Sequence, residues 1–393
     1  MISTTKGITR ATVYLWLRRL GFYKSESKKG VYVDGHERED VVRYRQEVFL
    51  PLIGEALSYS RQYDETEDRK WKTVEPDLPK GIRRHVFYFH DESCFHGYDY
   101  KKTIWLNKTT NQQKMPGKSK GKLVHCSDFI GPEGRITCPD LELDARKIIF
   151  PGSNGDPWWD TKQLLEQLST TIDIFEKKHA DCTGVFVFDQ SSAHASHGEG
   201  ALNAFSMNLF EGGKNKQPQN DTYFPPECIY PELRGTVQHL WKLDDAGNKV
   251  PKGAKKILEE RGCWIPNTKF ACSPRCPEGI SYPTPVTGEA PCCLARIISN
   301  HQDFYEQKSA IETLSTERGH KCIFLPKFHC ELNPIEMYWG YSKARYRQVK
   351  KLSFDHAKRE VIIALNACTI DTLRRICNRS FRFMGRLSQG IGC

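Results

Sequence analysis

Acidic residues follow three of the most strand-like segments of this 393-residue chain. Asp91 and Glu92 end one apolar run, Asp189 directly follows a second, and Glu331 and Glu336 follow a third. Carboxylates gathered where strands end repel one another unless a cation neutralises them, and Mg²⁺ or Mn²⁺ is the natural partner of oxygen ligands. One acid after a strand is more often a helix cap, but three in one chain favour a metal site.

A metal site of this kind has a specific chemical use. Two ions held about 3.5–4 Å apart activate a water or hydroxyl group and stabilise the leaving oxygen in phosphoryl transfer. The acids therefore predict phosphodiester chemistry with two Mg²⁺ or Mn²⁺ ions as cofactors.

The segments that carry the acids alternate between strand and helix patterns, which indicates a mixed α/β domain. Strands are predicted at 85–93, 103–106, 122–130, 184–189 and 322–326. The first three suggest an antiparallel meander, and the continuous apolar run of the fourth is typical of a strand buried on both faces. Helices are predicted at 40–58, at 159–179, at 302–319 and from Asn333 onward.

Residues 8–21 predict a short amphipathic helix that ends at Gly21. Its apolar face holds Val13, Trp16, Leu17 and Leu20, and its opposite face holds Arg10, Tyr14, Arg18 and Arg19. The second face suits a recognition helix lying against DNA phosphates. A solvated surface helix explains the same pattern, and both interpretations stay open at this point.

The net charge of +10 is concentrated at the two ends of the chain. Residues 1–30 hold seven basic residues and one acid, and residues 341–393 hold twelve basic residues and three acids. Lys343, Arg345 and Arg347 in the second segment are candidates for phosphate contacts. Because no apolar run approaches the roughly 18 residues that a spanning helix needs, no membrane partner is expected.

Five of the fifteen cysteines lie within one short Gly- and Pro-rich stretch, at 263–293. The Cys272/Cys276 pair has the spacing of a metal knuckle, and Cys263 and Cys292 would complete a tetrahedral Zn²⁺ site. Cys293 is the less suitable partner, because the side chains of neighbouring residues diverge in a regular strand. Plain reduced thiols are the alternative interpretation.

Three blocks of the sequence resemble the catalytic blocks of mariner-type DDE transposases: His90–Ser93, Phe188–His194 and Leu332–Gly340. The chain is more closely similar to the DDE transposase-like proteins of fungal genomes. Further spans share that similarity, at 30–37, 206–209, 212–214 and 327–333. The resemblance extends over roughly 8–350, and the third block is its most specific part.

The resemblance implies an RNase H-like fold, in which a mixed sheet is flanked by helices. It implies that Asp91, Asp189 and Glu336 are the catalytic metal ligands, and it favours Glu336 over Glu331 for the third position. Supporting positions are expected at His90, Glu92, His194, His329, Glu331 and Asn333. For each of the three histidines, a purely structural position at the sheet edge explains the residue equally well.

The resemblance also predicts what the protein does and where. We expect a nuclear enzyme that hydrolyses and rejoins DNA strands at transposon ends, with terminal inverted repeats and target DNA as partners and a homodimer in the DNA complex. The alternatives are a domesticated or inactive copy that only binds DNA and a nuclease that does not join strands.

The expected domain division follows the same blocks. A helix-turn-helix region is predicted at 1–60, truncated at its N-terminal side, and a linker at 61–84. The catalytic domain is predicted at 85–350 with an irregular insertion at 196–300, followed by a basic helical tail at 351–393.

Overall fold

The computed structural model describes residues 8–390 except 27–34, 100–102, 108–120, 140–141, 153–154, 192–193, 195, 199, 212, 216–218, 274–275 and 277–291. The chain divides into two compact units, Met1–Gln190 with Ser315–Cys393 and Ser191–Leu314. Among the described residues, no helix is both long enough and apolar enough to span a membrane.

The first unit contains most of the regular structure. Its strands are β1 Phe22–Glu26, β2 Gln62–Glu65, β3 Trp71–Val74, β4 Arg84–His96, β5 Thr103–Asn107, β6 Leu123–Gly131, β7 Gly134–Arg135, β8 Thr137–Cys138, β9 Leu143–Asp144, β10 Lys147–Ile149 and β11 Cys182–Phe188. Its first helices are α1 Arg10–Arg19, α2 Glu39–Tyr44, α3 Leu50–Ser58 and α4 Thr161–Lys178, with a π-helical turn at Arg45–Phe49.

The remaining elements follow in chain order. The second unit contains β12 Thr222–Tyr223, β13 Val237–Gln238, β14 Trp241–Leu243, β15 Lys249–Pro251, α5 Ala254–Glu260, α6 Leu294–Ser299 and α7 Gln302–Tyr305. Helix α8 covers Ala310–Glu317, and the first unit ends with β16 Lys321–Phe324, α9 Pro334–Tyr346, α10 Phe354–Asn366 and α11 Ile370–Ser388.

The centre of the first unit is a mixed sheet of strand order β10-β6-β4-β11-β16. Strands β10, β6 and β4 are antiparallel, whereas β11 is parallel to both β4 and β16. Since two parallel neighbours need a crossover, helix α4 precedes β11 and packs against the sheet. This order, with helices on both faces, confirms the predicted RNase H-like mixed α/β fold.

Side-chain alternation divides the strands between two cores. On one face, Phe89 of β4 and Val187 of β11 pack with Phe49, Met384 and other apolar residues of the N- and C-terminal helices. On the other face, the Phe175 ring of α4 lies 6.0 Å from Tyr88 and 5.8 Å from Phe186. Every residue of β11 is buried, as predicted for a strand covered on both sides.

Two segments differ from the prediction because they pair elsewhere. Strand β5, predicted inside the meander, pairs with β1, and β4 pairs directly with β6. The expected linker at 61–84 contains the antiparallel hairpin of β2 and β3. Of the span at 30–37 that shares the family similarity, only 35–37 belong to the described residues. The polar composition of 61–84 did not reveal the hairpin of β2 and β3, because both strands are short and mostly exposed.

The helices at the two ends of the chain also differ from the prediction. Phe49 and Ile53 of the segment expected in a helix-turn-helix region lie in the sheet core, whereas the described residues of α1 include none that is buried. The expected tail at 351–393 forms α10 and α11, with Val361 and Leu373 buried against α9. These helices are integral to the first unit because their apolar sides complete its core.

The second unit has a core of its own, centred on Leu240, Ile257 and Leu294. Its helices and strands are short. A fully buried ion pair supports it, in which the Arg261 guanidinium donates to both Asp303 carboxylate oxygens at 3.0 and 2.6 Å.

Two glycines of the first unit test the packing of the sheet. A Cβ at Gly131 would lie 2.0 Å from the Phe87 carbonyl oxygen, whereas a Cβ at the helical, exposed Gly54 would meet nothing within 4 Å. We expect Gly131→Ala to destabilise the fold by about 1–3 kcal/mol, because β4 must shift. The control Gly54→Ala should stabilise it by about 0.5–1 kcal/mol. Thermal unfolding measures both, and an unchanged Tm for Gly131→Ala would contradict this packing.

Candidate functional site

Asp91 and Asp189 lie on neighbouring parallel strands at matching positions. The register pairs Phe89 of β4 with Val187 of β11, and each aspartate lies two residues further along. Because side chains alternate, both carboxylates share the face that packs against the C-terminal helices. Asp91 was predicted at the end of its strand, but β4 continues to His96, so Asp91 lies within the ladder.

Glu336 approaches the same face from the start of α9. Asn333 precedes the helix, Pro334 occupies its first position, and Glu336 lies in its first turn. One turn later, the Trp339 indole Nε1–H donates to Asp91 Oδ2 at 3.1 Å, which fixes α9 against β4. The Asn333 amide donates to the His90 carbonyl oxygen at 3.3 Å and holds the entry to the helix.

The surroundings of Asp91 favour the protonated form of its carboxyl group. Burial first, and then the negative charges of Glu336, Glu92 and Asp189, together raise the pKa of Asp91 to about 8. A carboxyl group at such a position holds its proton near neutral pH unless a cation replaces it. The donor set consists of carboxylate oxygens, which fits Mg²⁺ or Mn²⁺.

Asp128 lies directly opposite Asp91 on β6 but belongs to a different environment. Its fully buried carboxylate accepts from Arg146 Nε at 2.8 Å, Arg135 Nε at 3.0 Å and the Tyr338 hydroxyl at 3.1 Å. Despite burial, the two arginines hold the pKa of Asp128 below its usual value. This acid is therefore neutralised within the protein and serves packing.

The supporting residues around Asp91 are held by polar contacts on the other face of the sheet. The buried His90 Nε2 lies 2.7 Å from Ser127 Oγ, which donates to Gln167 of α4 at 2.7 Å. Glu92 accepts from the Trp159 indole Nε1–H at 2.8 Å. His90 and Glu92 thus connect the strand that carries Asp91 to the α4 layer.

Glu331, the competitor for the third acid, is engaged by histidines. Its Oε1 lies 2.6 Å from His329 Nδ1 and its Oε2 lies 3.7 Å from His36 Nε2. His329 Nε2 lies 2.9 Å from Arg45 Nη1 and must accept, because a guanidinium only donates. His329 therefore donates from Nδ1 to Glu331, and the group fixes the loop before α9. The arrangement favours Glu336 as the third ligand.

Two other predicted groups lie in the second unit. His194 is buried there, and its backbone N–H donates to Ser191 Oγ at 3.3 Å. The cysteine cluster forms from Cys272, Cys276, Cys292 and Cys293, and Cys263 lies outside it. Cys293 was the disfavoured member because of its position next to Cys292. The chain is not a regular strand at this point, so that objection does not apply.

The predicted DNA-contact residues differ in how exposed they are and in whether an acid already binds them. Arg10, Tyr14, Arg18 and Arg19 are all exposed on α1. On α9, Arg345 is exposed and its guanidinium carbon lies 3.5 Å from the centre of the Tyr341 ring. Lys343 is partly buried near Glu336, and Arg347 is bound to both Asp99 oxygens at 2.9 Å. Arg347 is therefore the least available of the set.

Sequence reasoning missed an arginine row on α11. Arg375, Arg379, Arg382 and Arg386 are exposed and follow helical spacing along one side. Arg375 pairs with Glu65 at 2.6 Å, whereas no ion pair within the described chain involves the other three. The intervals of four, three and four residues are visible in the sequence, but the segment was predicted only as a basic helical tail. Trp339 was also missed, because an indole in a helix normally signals core packing.

No protein-family model and no curated protein matches this chain. Among solved structures, the Mos1 mariner paired-end complex with Mn is similar, with a TM-score of 0.44 and 10% identity over 98% of this chain and 71% of that one. The Mos1 strand transfer complex gives a TM-score of 0.41 and 11% identity over 98% and 71%. Both TM-scores lie below 0.5, so the functional argument depends on this chain's own residues.

Asp91 and Asp128 form a matched pair for mutation. The folded protein holds a proton on Asp91 more tightly than the unfolded chain does, so Asp91 lowers stability as the pH rises from about 4 towards 8. We expect Asp91→Asn to raise the metal-free Tm at pH 8 by about 2–4 °C, and by less at pH 5. The gain arises because a neutral amide costs less to bury than a carboxylate and is not repelled by the nearby negative charges.

We expect Asp128→Asn, in contrast, to lower the Tm. It leaves Arg135 and Arg146 without their buried counter-charge, at a cost of about 3–5 kcal/mol. Thermal unfolding in the presence of a chelator, at both pH values, measures the two variants. An equal loss of stability in both would show that Asp91 is an ordinary structural acid.

Proposed function

We propose that this protein is a mariner-like DDE transposase that hydrolyses and rejoins DNA phosphodiester bonds at transposon ends with the help of divalent metal ions. One observation carries the proposal: Asp91 lies in the field of Asp189 and Glu336 on one face of a mixed sheet, with its pKa raised to about 8. A purely structural acid would have a basic partner, as Asp128 has.

The residues fit a pair of Mg²⁺ or Mn²⁺ ions. Asp91, Asp189 and Glu336 would hold them, with Glu92 as a nearby negative charge. Bound ions of this type lower the pKa of an attacking water or hydroxyl and stabilise the leaving oxygen. Zinc is the poorer fit at this position, because every acid of the group is a hard oxygen donor.

The chain contributes position and charge to the reaction. The Trp339 indole orients one Asp91 oxygen, and the paired Asp128 next to it adds no uncompensated charge. The His329–Glu331–Arg45 group fixes the loop that leads into α9 and so sets the place of Glu336. A buried acid whose pKa is raised costs stability, which is typical of sites that bind cations.

DNA would be held by basic residues outside the carboxylate cluster. Arg10, Tyr14, Arg18 and Arg19 of α1 would contact terminal inverted repeats, and Lys343 and Arg345 would contact the strand undergoing reaction. Arg379, Arg382 and Arg386 of α11 add a track for phosphates. The proposal includes a homodimer on paired transposon ends, with target DNA as the second substrate, and a nuclear location.

Replacing Asp189 tests the reaction directly. We expect Asp189→Ala to lower Mg²⁺-dependent cleavage of a DNA end by about 10³-fold or more, since several kcal/mol of transition-state stabilisation disappear. DNA affinity should stay within about twofold, because no phosphate contact is removed. Gel-based cleavage and fluorescence anisotropy measure the two quantities, and Glu166→Gln, which changes an exposed acid of α4, provides a control that should retain cleavage.

The products distinguish the alternatives. Wild-type protein that binds DNA ends but never cleaves them would point to a DNA-binding derivative, and cleavage without joined products would point to a nuclease. Full cleavage by Asp189→Ala would remove the metal-site assignment.

The arginine row on α11 gives a second, independent prediction. Each lost phosphate contact lowers the slope of log affinity against log salt by about 0.9 for duplex DNA. We expect the double variant Arg382→Ala/Arg386→Ala to reduce this slope by about 2, because neither side chain has an acidic partner among the described residues. The control Arg375→Ala should change it less, since Glu65 already neutralises Arg375. Equal slopes for the wild-type protein and both variants would show that this surface does not contact DNA phosphates.

A further inference from the structure

Four thiol groups meet in the second unit, outside the carboxylate site. The sulfur atoms of Cys272, Cys276, Cys292 and Cys293 all lie within 4.8 Å of one another. Cys293 Sγ is 3.9 Å from Cys276 Sγ and 3.9 Å from Cys292 Sγ. A disulfide requires about 2.05 Å between sulfurs, so the group is not arranged as two crosslinks.

The distances match a metal-centred tetrahedron. Zinc–sulfur bonds of about 2.3 Å in tetrahedral geometry place the sulfurs about 3.8 Å apart. Cys293 is fully buried and the other three are partly buried, which suits a closed site with no position for substrate. We propose that these four cysteines bind one structural Zn²⁺ ion, each thiol releasing its proton as it binds.

The surroundings of the cluster support a thiolate site. The Arg296 guanidinium donates a hydrogen bond to the Cys276 sulfur at the edge of the cluster. A zinc ion with four thiolates carries a net negative charge, which the Arg296 guanidinium offsets. The four sulfurs include no hard oxygen ligand, so the site selects zinc over magnesium.

The ion would connect two segments of the second unit that have little other structure. The Leu294 and Ala295 N–H groups donate to the Lys269 and Phe270 carbonyl oxygens at 3.0 and 2.8 Å. Cys272 lies shortly after the first of these segments, and Cys292 and Cys293 lie directly before α6. Because Leu294 and Ile298 of α6 belong to the core of the unit, zinc binding would fix that helix in place.

Cys263 provides the contrast within the same unit. Its Sγ lies 3.4 Å from the Arg261 carbonyl oxygen and 3.5 Å from the Glu227 carbonyl oxygen, and burial raises the pKa of its thiol. A neutral thiol that donates to carbonyl groups is not a metal ligand. Cys263 is therefore a matched control: the same residue type in the same unit, outside the cluster.

The test uses the full chain purified under reducing conditions without chelator. Elemental analysis should find about one zinc per wild-type chain and per Cys263→Ser chain, and less than about 0.2 in Cys276→Ser and Cys292→Ser. Asp189→Ala should keep its zinc, because the carboxylate site is separate. The result is independent of whether the protein cleaves DNA.

Cobalt substitution of the wild-type protein keeps the test decisive even when a variant fails to fold. Tetrahedral Co²⁺ with four thiolates gives intense visible bands and a strong sulfur-to-metal charge-transfer band, and titrating zinc should abolish both at one equivalent. Wild-type protein without zinc, with weak octahedral cobalt bands, or with four thiols lost to disulfides would overturn the proposal. Zinc loss in Cys263→Ser as complete as in Cys292→Ser would overturn the ligand set.

Discussion

Repulsion between carboxylates on one face of a sheet is the constraint on which the rest of the first unit depends. Burial raises the pKa of Asp91, and the negative charges of Glu336, Glu92 and Asp189 add to the shift. A fold tolerates this only when other contacts hold the acids in place. Trp339, the Asn333 contact to β4 and the two cores on either side of β11 supply them. Asp128 shows that the same sheet can also bury an acid whose charge is balanced, in this case by Arg135 and Arg146.

The sequence predicted the central strands and helices well because their apolar runs are long. Strand β11 and helix α4 could be located within a few residues, and the acids followed from their places at β11 and α9. Pairing was harder. Strand β5 has the same local pattern as β6, and only the tertiary structure decides that β6 joins β4. A local pattern cannot choose between two partners of similar composition.

The sequence did not reveal that the end segments also contribute to the core. Basic charge suggested a DNA-binding region and a tail, yet Phe49 and Met384 belong to the core beneath the sheet. Charge describes the exposed side of an amphipathic helix, while the buried side decides where that helix packs. The cysteines show the same limit: spacing selected Cys272 and Cys276, but only the path of the chain brings Cys293 into the group in place of Cys263.

The continuation of β4 beyond Asp91 has a consequence for how the three acids respond to a reaction. Asp91 has ladder partners on β6 both before and after it, so its backbone is fixed in all directions. Asp189 follows the last residue of its strand, and Glu336 lies in the first turn of a helix, where the backbone has fewer constraints. If the three acids bind metal as proposed, Asp91 is the stationary ligand and Asp189 and Glu336 are the adjustable ones. Changes in separation during bond breaking and joining would be absorbed by Asp189 and Glu336, with Asp91 as the fixed point of reference.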